Sequence, residues 1–459
     1  MNATPTALGG VDSIDDIPPA FSEESIAIAF SNRHAHEWRY VAAWGRWYHW
    51  NGLVWSEEKT LKAIDLSRKL CREFARKLRQ QDEKKARAAA AIASKSTVMA
   101  VESLARADRR SAATIEEWDR DLWILNTPGG VVNLRTGNLR KCDPDDRCTK
   151  ITAVAPGGKC DLWLRFLDQV TDRNDELIAY LQRAFGYALT GSTREHALLF
   201  FYGTGANGKS TLLNAITGIL NTYATVAPPE TFAETQGERH PADLAMLRGA
   251  RLVTSIETED GRRWASARIK SMTGGDPIAA RFMRQDFFFF TPQFQLIIAG
   301  NHKPGLKNVD EAIRRRMHLV PFVLTIPAAD RDNNLSLKLR EEWGGILEWM
   351  VQGCLAWQRE GLAPPSVVRE ATEAYLIDED VLGLWLSECT QKEPNAFAAT
   401  SELHDSYQKW AERAGERFLG TKRFTQALEE RGLHRGRVRG EKDVRGFNGL
   451  KIKDKDKLL

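Results

Sequence analysis

The string GTGANGKS at Gly203 to Ser210 has the spacing G-x-x-x-x-G-K-[ST] of a loop that encloses phosphate groups. Gly203, Gly205 and Gly208 let successive backbone N–H groups curl around phosphate oxygens, and a helix starting at the loop's end adds the positive end of its dipole. Lys209 is placed to bridge β and γ phosphates and Ser210 to ligate Mg²⁺, while Asn207 and Thr211 complete a nucleotide contact set. The plain alternative is a glycine turn without a ligand. Hydrolysis of a bound triphosphate also needs a carboxylate on a neighbouring strand end, to hold the metal's water shell and polarise an attacking water. The run RLVTSIETE offers Glu257 where its apolar stretch ends and Glu259 two residues later, on the same side of an extended chain. Glu257 is favoured, with Glu259 close behind, against an ordinary surface pair. Asn301, which closes FQLIIAGN, suits the γ phosphate or the attacking water, although alone it reads as a turn residue. The arginines of DEAIRRRM, ending at Arg316, are the groups that best neutralise a transferring phosphoryl; a solvated helix face is their usual role. Phosphate loop, acidic strand end, polar strand end and arginine follow one another in an order that favours function.

These side chains need strands to hold them. The apolar runs ALLFFYG (197–203), ARLVTSIE (250–257), FQLIIAGN (294–301) and MHLVPFVL (317–324) alternate with helical stretches, the pattern of an α/β unit with a largely parallel sheet. Upstream, WRYVAAWGRWYHWNGLVW (38–55), with its Asn51-Gly52 turn, reads as a hairpin or small sheet. Its aromatics are expected in a core, with base stacking on a sheet face as the alternative. Two or three helices are expected between Leu61 and Trp118, a second β segment over Leu122 to Leu139, and helices again over Asp161 to Thr190. The tail shows helices near 380–390, 402–413 and 421–431, then an Arg/Gly segment and GFNGLKIK. That is a helix–helix–wing order, with Thr421 as N-cap of the last helix and Gly432 after its end.

A chain of 459 residues fits about three domains, and 42% hydrophobic with 27% charged residues is ordinary for a folded protein. No run approaches the roughly 18 apolar residues of a membrane span, so a cytoplasmic protein with no membrane partner is expected. The six dispersed cysteines lack zinc spacing and read as reduced structural thiols. Net charge is only +4, but from Ser401 onward 15 basic face 10 acidic residues, so the tail carries +5 and the remainder −1. A basic terminal module is a mild nucleic-acid signal.

The ordered set GTGANGKS, LVTSIETE, IKSMTGGDPIAARF, IIAGNHKP and AIRRRMHLVPF resembles a superfamily 3 helicase, in the subgroup formed by the helicase part of phage and plasmid primase-helicases, related to the poxvirus primase-helicase. The resemblance implies an α/β fold: a P-loop AAA+-like ATPase domain with a parallel sheet, preceded by a mixed α+β N-terminal region and followed by a C-terminal winged-helix domain. Expected boundaries are a flexible leader (1–24), an N-terminal β/α region (25–155), a helical collar (156–195), the ATPase/helicase domain (196–330), a helical extension (331–375) and the winged helix (376–459). It implies ATP and Mg²⁺ as ligands, with Lys209 and Ser210 on the nucleotide, Glu257 as metal and water carboxylate, Asn301 as sensor, and Arg316, preferred over Arg315, as the arginine finger. Lys270 is expected to face ATP bound to a neighbour. A hairpin ahead of the sensor strand, with apolar arms packed on the domain and a polar, basic tip near Arg284 and Gln285, is expected to enter a central pore and grip DNA through Arg281, Arg284 and Gln285. Lys422, Arg435, Arg437 and Arg439 are the expected DNA contacts of the tail. Family members often carry a primase domain before the motor; about 195 residues precede the loop here, and no primase activity is expected.

The function expected from this set is an ATP-dependent replicative DNA helicase of a phage, plasmid or other mobile element in a prokaryotic host. It would work as a homo-oligomeric ring, a hexamer, moving 3′ to 5′ on single-stranded and forked DNA beside a separate primase or replication initiator. The alternatives are an ATPase of the same fold that remodels protein or packages duplex DNA, and a non-catalytic origin-binding protein.

Overall fold

The computed structural model describes residues 17–234, 242–257, 263–284, 286–306, 309–416, 418–438 and 443–453. Helix α1 (Glu23–His34) starts inside the expected leader, where the Ser22 hydroxyl accepts from the Ser25 amide at 3.1 Å. The aromatic run folds into β1 (Trp38–Val41), β2 (Arg46–Trp50) and β3 (Trp55–Glu57). Asn51 Oδ1 closes the β2–β3 turn by accepting from the Leu53 and Val54 amides, both at 2.9 Å. Helices α2 (Lys62–Gln81), α3 (Ala86–Ile92) and α4 (Lys95–Ala107) follow, and the short β4 (Ala112–Ala113) adds in parallel to β1. Side chains alternate across this sheet. Trp38 and Trp47 pack with α1, α2 and α4, while Val41, Trp55 and Trp118 form a small core on the opposite face. Trp38, Trp47 and Trp55 are therefore core residues, as expected, but Trp44 and Tyr48 stay partly exposed. The antiparallel meander β5 (Ile124–Thr127), β6 (Gly130–Asn133) and β7 (Leu139–Arg140) then leads into α5 (Asp161–Val170) and α6 (Asp175–Tyr187).

The central sheet contains β8 (Leu198–Tyr202), β9 (Ala224–Val226), β10 (Leu252–Glu257), β13 (Gln295–Gly300) and β14 (Met317–Pro321), in the order β14-β8-β13-β10-β9 with every neighbouring pair parallel. Strands β8, β10, β13 and β14 are largely apolar runs without alternation because helices cover both faces. Helix α7 (Lys209–Leu220) joins β8 to β9, and α8 (Ala242–Ala245) precedes β10. Between β10 and β13 lie α9 (Ser266–Gly274) and the antiparallel hairpin β11 (Ile278–Ala280) and β12 (Phe288–Phe290); α10 (Glu311–Arg314) comes just before β14.

Helices α11 (Leu335–Glu341), α12 (Trp343–Glu360) and α13 (Ser366–Asp378) complete the middle of the chain. One core unites α5, α6, α7 and α12 with one sheet face, so the expected collar, motor and helical extension share their interior. Helices α6 and α12 meet backbone to backbone. A Cβ added to Gly186 would lie 2.1 Å from the Cys354 amide nitrogen, and one on Gly353 2.0 Å from the Gln182 carbonyl. The other sheet face packs on α9 and on Tyr375 and Leu376 of α13. The boundary expected at 376 thus falls inside a helix anchored to the sheet. The terminal module has its own core and starts with α14 (Val381–Cys389), followed by β15 (Thr390–Ala399), α15 (Thr400–Ala414), α16 (Thr421–Glu430), β16 (Arg435–Val438) and β17 (Val444–Ile452). The order β15-β17-β16 is antiparallel. Gly420, not Thr421, occupies the cap position of α16; Thr421 is already helical, and its carbonyl accepts from the Thr425 hydroxyl at 2.7 Å. Gly432 follows the helix at φ +78°, a left-handed conformation that glycine takes without a Cβ clash. No helix among the described residues is long and apolar enough to cross a membrane.

Candidate functional site

The strand ends of the central sheet line up in register. Tyr202 is opposite Pro321 and Gly300, and Gly300 is opposite Glu257. The glycine loop leaves the sheet at this edge, directly after Tyr202. Gly203 has φ +153°, and a Cβ there would sit 2.0 Å from the Phe322 carbonyl, so the loop can press against the segment after β14 only as glycine. That segment holds the loop from above: the Asn207 side-chain amide donates to the Phe322 carbonyl at 2.8 Å, and the Ile326 amide donates to the Ala206 carbonyl at 2.9 Å. Gly208, at φ +81°, is the cap residue of α7, and a Cβ on it would press into Val170 at 2.5 Å. Gly205 faces open space.

Lys209 is 5% exposed. Its ammonium donates to the Gly203 carbonyl at 2.6 Å, to Asn207 Oδ1 at 3.0 Å and, more weakly, to Asn301 Oδ1 at 3.4 Å. The fold thus joins Gly203, Asn207, Lys209 and Asn301 around one cation, with the Glu257 backbone level with the residue before Asn301 on the adjacent strand. Burial pulls the Lys209 pKa down to about 8, with no carboxylate beside it among the described side chains. Ser210 is exposed and Thr211 half-buried in the first turn of α7, with the amide end of a twelve-residue helix beneath them. The arrangement can receive anionic oxygens: a fixed cation, free amides and an open face. Glu259 lies outside the described residues.

The arginine turn is at the other edge of the sheet, where β14 begins. Arg316 is 7% exposed; its Nε donates to Thr273 Oγ1 at 3.2 Å and its Nη1 to the Ala312 carbonyl at 2.8 Å. Burial and the neighbouring Arg315 lower its pKa from the usual arginine value. Arg315 is exposed, and its guanidinium makes no hydrogen bond or ion pair among the described residues. Lys270 is bound to Asp310, whose other oxygen accepts from the Ile313 amide at 2.9 Å and so caps α10. Arg314 reaches Glu373 at 3.1 Å and Asp380 at 3.7 Å, and Asp380 also holds Arg431 of the terminal module. Asp310 and Thr273 were missed in the sequence. The first was legible as an Asp before a short helical run; the second had no local signal.

The hairpin differs from the expected form of apolar arms and polar tip. Arg284 is exposed at the tip with φ +60°, but Met283 and Phe287 beside it and Phe289 on the second arm are 73%, 59% and 74% exposed. Arg281 lies over the Phe287 ring at 4.9 Å. Gln285 lies outside the described residues, as does Arg439. In the terminal module Lys422 is exposed on α16, Arg435 pairs with Glu429 at 2.9 Å, and Arg437 pairs with Asp443. The cysteines form no disulfide among the described residues, and burial pushes the thiols of Cys148 and Cys354 up to about 12.

Residues 27–172 match a family described as "D5 N terminal like", and residues 201–316 match a family of unknown function (DUF5906). The chain is 24% identical over 322 residues to "Putative helicase 022R" of Frog virus 3 (isolate Goorha), covering 66% of this chain and 32% of that protein. It is 22% identical over 319 residues to "Putative helicase L207/L206" of Acanthamoeba polyphaga mimivirus, covering 64% and 33%. The chain therefore spans about a third of the length of these relatives. Among solved structures, the one titled "The A form apo structure of NrS-1 C terminal region-CTR(305-718)" aligns over 93% of this chain and 99% of that one, at 8% identity and a TM-score of 0.48. A D5 N terminal like segment, a mixed α/β architecture with a parallel sheet, and low-identity similarity to viral proteins named as helicases are thus features of this chain.

Proposed function

We propose that this chain is the ATP-driven motor of a replicative DNA helicase from a phage, plasmid or other mobile element, working as a hexameric ring that moves 3′ to 5′ on single-stranded DNA. The observation that carries the reading is the Lys209 ammonium, buried inside a glycine loop at the carboxyl edge of a parallel sheet with no counter-charge among the described side chains. A triphosphate supplies the missing anion, so the residues present fit it. Lys209 binds its β and γ oxygens in place of the Gly203 carbonyl, and the amides of the loop and of the first turn of α7 bind the rest. Mg²⁺, held by the Ser210 hydroxyl and a strand-end carboxylate, Glu257 or Glu259, would neutralise charge on the phosphates. Glu257 or Glu259 also orients the attacking water, and Asn301 bonds it or the γ phosphate.

The arginine turn serves the nucleotide of an adjacent subunit. Arg316 was expected to supply the guanidinium, but its bonds to Thr273 and Ala312 fit it to bracing the turn, and exposed Arg315 fits delivery. Lys270, once released from Asp310, is the second cation available to that neighbour. Arg284, with Arg281 and Gln285, holds the DNA backbone in the ring's pore. The terminal module acts as a winged helix whose Lys422, Arg435, Arg437 and Arg439 contact duplex DNA; exposed ion pairs such as Arg435–Glu429 are weak enough to exchange for phosphate. A separate primase or replication initiator is the protein partner that such a motor needs.

The test is ATP hydrolysis by the full chain with and without oligo(dT). Wild type is expected to be stimulated by the single strand. Lys209→Ala is expected to lose at least about 100-fold in rate, the scale of removing one donor aimed at developing charge, with an unchanged circular dichroism spectrum. Hydrolysis by Lys209→Ala near the wild-type rate would overturn the reading, and stimulation by duplex alone would point to duplex packaging instead.

A further inference from the structure

A cleft of about 800 Å³ opens between the N-terminal sheet and the hairpin, a size suited to a ligand. Aromatic rings line both walls: Trp44, Tyr48 and Trp118 on the sheet side, Phe282 and Phe289 on the hairpin side. Phe289 is 74% and Phe282 40% exposed, so these rings are not filling a core. The Arg248 guanidinium lies 6.0 Å from the Trp44 ring centre and 5.1 Å from that of Phe288, with no hydrogen bond or ion pair of its own among the described residues. Arg46 is paired with Glu57, and Lys150, which donates to the Thr222 carbonyl at 3.1 Å, adds positive charge, opposed by Glu116 and Asp119. Asp119 is already engaged by the Thr149 amide at 2.8 Å and by its hydroxyl. The Trp118 indole N–H is buried and lacks an acceptor among the described residues.

We infer that this cleft binds the unpaired bases of a single nucleic-acid strand. The exposed Phe282 and Phe289 and the half-buried Trp44 and Tyr48, with an interleaved guanidinium, suit flat π-faces of any base identity, with the cation shared between ring and phosphate. A duplex hides those faces, and an aliphatic protein segment makes no use of a cation seated over two rings. With Arg46 paired to Glu57, Arg248 and Lys150 face Glu116 and Asp119 and little net charge is left, so stacking carries the binding and phosphate attraction adds little. The inference rests on the proposed action on single-stranded DNA and adds a contact away from the hairpin tip. A strand held here spans the N-terminal sheet and the hairpin, so it ties the two together.

Affinity of the nucleotide-free full chain for fluorescein-labelled oligo(dT), measured by anisotropy across a salt series, tests the inference. Trp44→Leu is expected to weaken binding about 5- to 100-fold, the loss of one stacked base, with the salt slope unchanged. Trp44→Phe is expected to restore it, which a folding defect would not allow. Arg248→Gln is expected to weaken binding and to lower the salt slope by roughly one. An oligomer of abasic sugars is expected to bind more weakly than oligo(dT). Wild-type affinity in Trp44→Leu, or equal binding of the abasic strand, overturns the cleft alone and leaves the motor reading standing. A wild-type chain that hydrolyses ATP but binds no single strand overturns both this inference and the proposed translocation.

Discussion

At the scale of single residues, the protonation of Lys209 makes a signed expectation. With its pKa drawn down to about 8, the free side chain is charged below that pH and increasingly neutral above it. A bound polyphosphate favours the charged form, so binding takes up a proton above pH 8. Affinity for a non-hydrolysable ATP analogue is therefore expected to be level near pH 7 and to fall as pH rises past 8. Calorimetry at pH 8.5 in two buffers of different ionisation enthalpy should record uptake of most of one proton. Lys209→Arg, permanently charged, should record none. The arginine turn separates two adjacent residues in the same way. Arg315→Ala is expected to keep ATP binding and the melting temperature but lose hydrolysis by at least about 100-fold. Arg316→Ala, which strips Thr273 Oγ1 and the Ala312 carbonyl of a buried partner, is expected also to lower stability by about 1–3 kcal/mol. A melting scan beside the rate measurement distinguishes the two; equal melting points with loss of activity only in Arg316→Ala would return the role to Arg316.

Among the elements, the hairpin carries its own expectation. Arg284→Ala should leave DNA-independent hydrolysis near wild type while DNA stimulation and unwinding fall together, because the tip would no longer pull on the strand. Full unwinding by this variant would remove Arg284 from the pore, and joint loss of basal hydrolysis would place it at the nucleotide. The hairpin, the four central strands β8, β10, β13 and β14, and the three helices of the tail were legible in the sequence, since a strand buried on both faces is a continuous apolar run and a surface helix is a periodic one. The edge strands β9 and β15 were not. β9 is three residues long, and β15, which contains Lys392, Glu393 and Pro394, has the polar composition of a loop. The loop-to-Asn301 contact was readable as an order of motifs. The burial of Arg316 was not, because its acceptor Thr273 lies 43 residues away. Nor was the exposure of Phe287 and Phe289, since an apolar run reads as core until the absence of a facing element is known.

On the scale of the whole molecule, the central α/β unit shares its core with the helices expected as a collar. Helices α5, α6 and α12 share one interior with the sheet, and the glycine crossing of α6 and α12 admits no side chain between them. The terminal module, by contrast, keeps its own core and meets the motor through Arg314, Asp380 and Arg431. The glycine loop leaves the carboxyl edge of the parallel sheet, whereas Arg315 and Arg316 precede the first residue of β14 at the amino edge. Five residues of strand put about 16 Å between these edges, more than a side-chain rotation spans, so the proposed role of the arginines calls for a second subunit. On the proposed supply of the arginine by a second subunit, specific activity is expected to depend on protein concentration. Turnover per subunit is expected to collapse on dilution below the assembly constant and to reach a plateau above it, with the half-point set by protein and not by ATP. A turnover number that stays constant from the micromolar range down to single isolated chains would mean that each chain carries every group it needs.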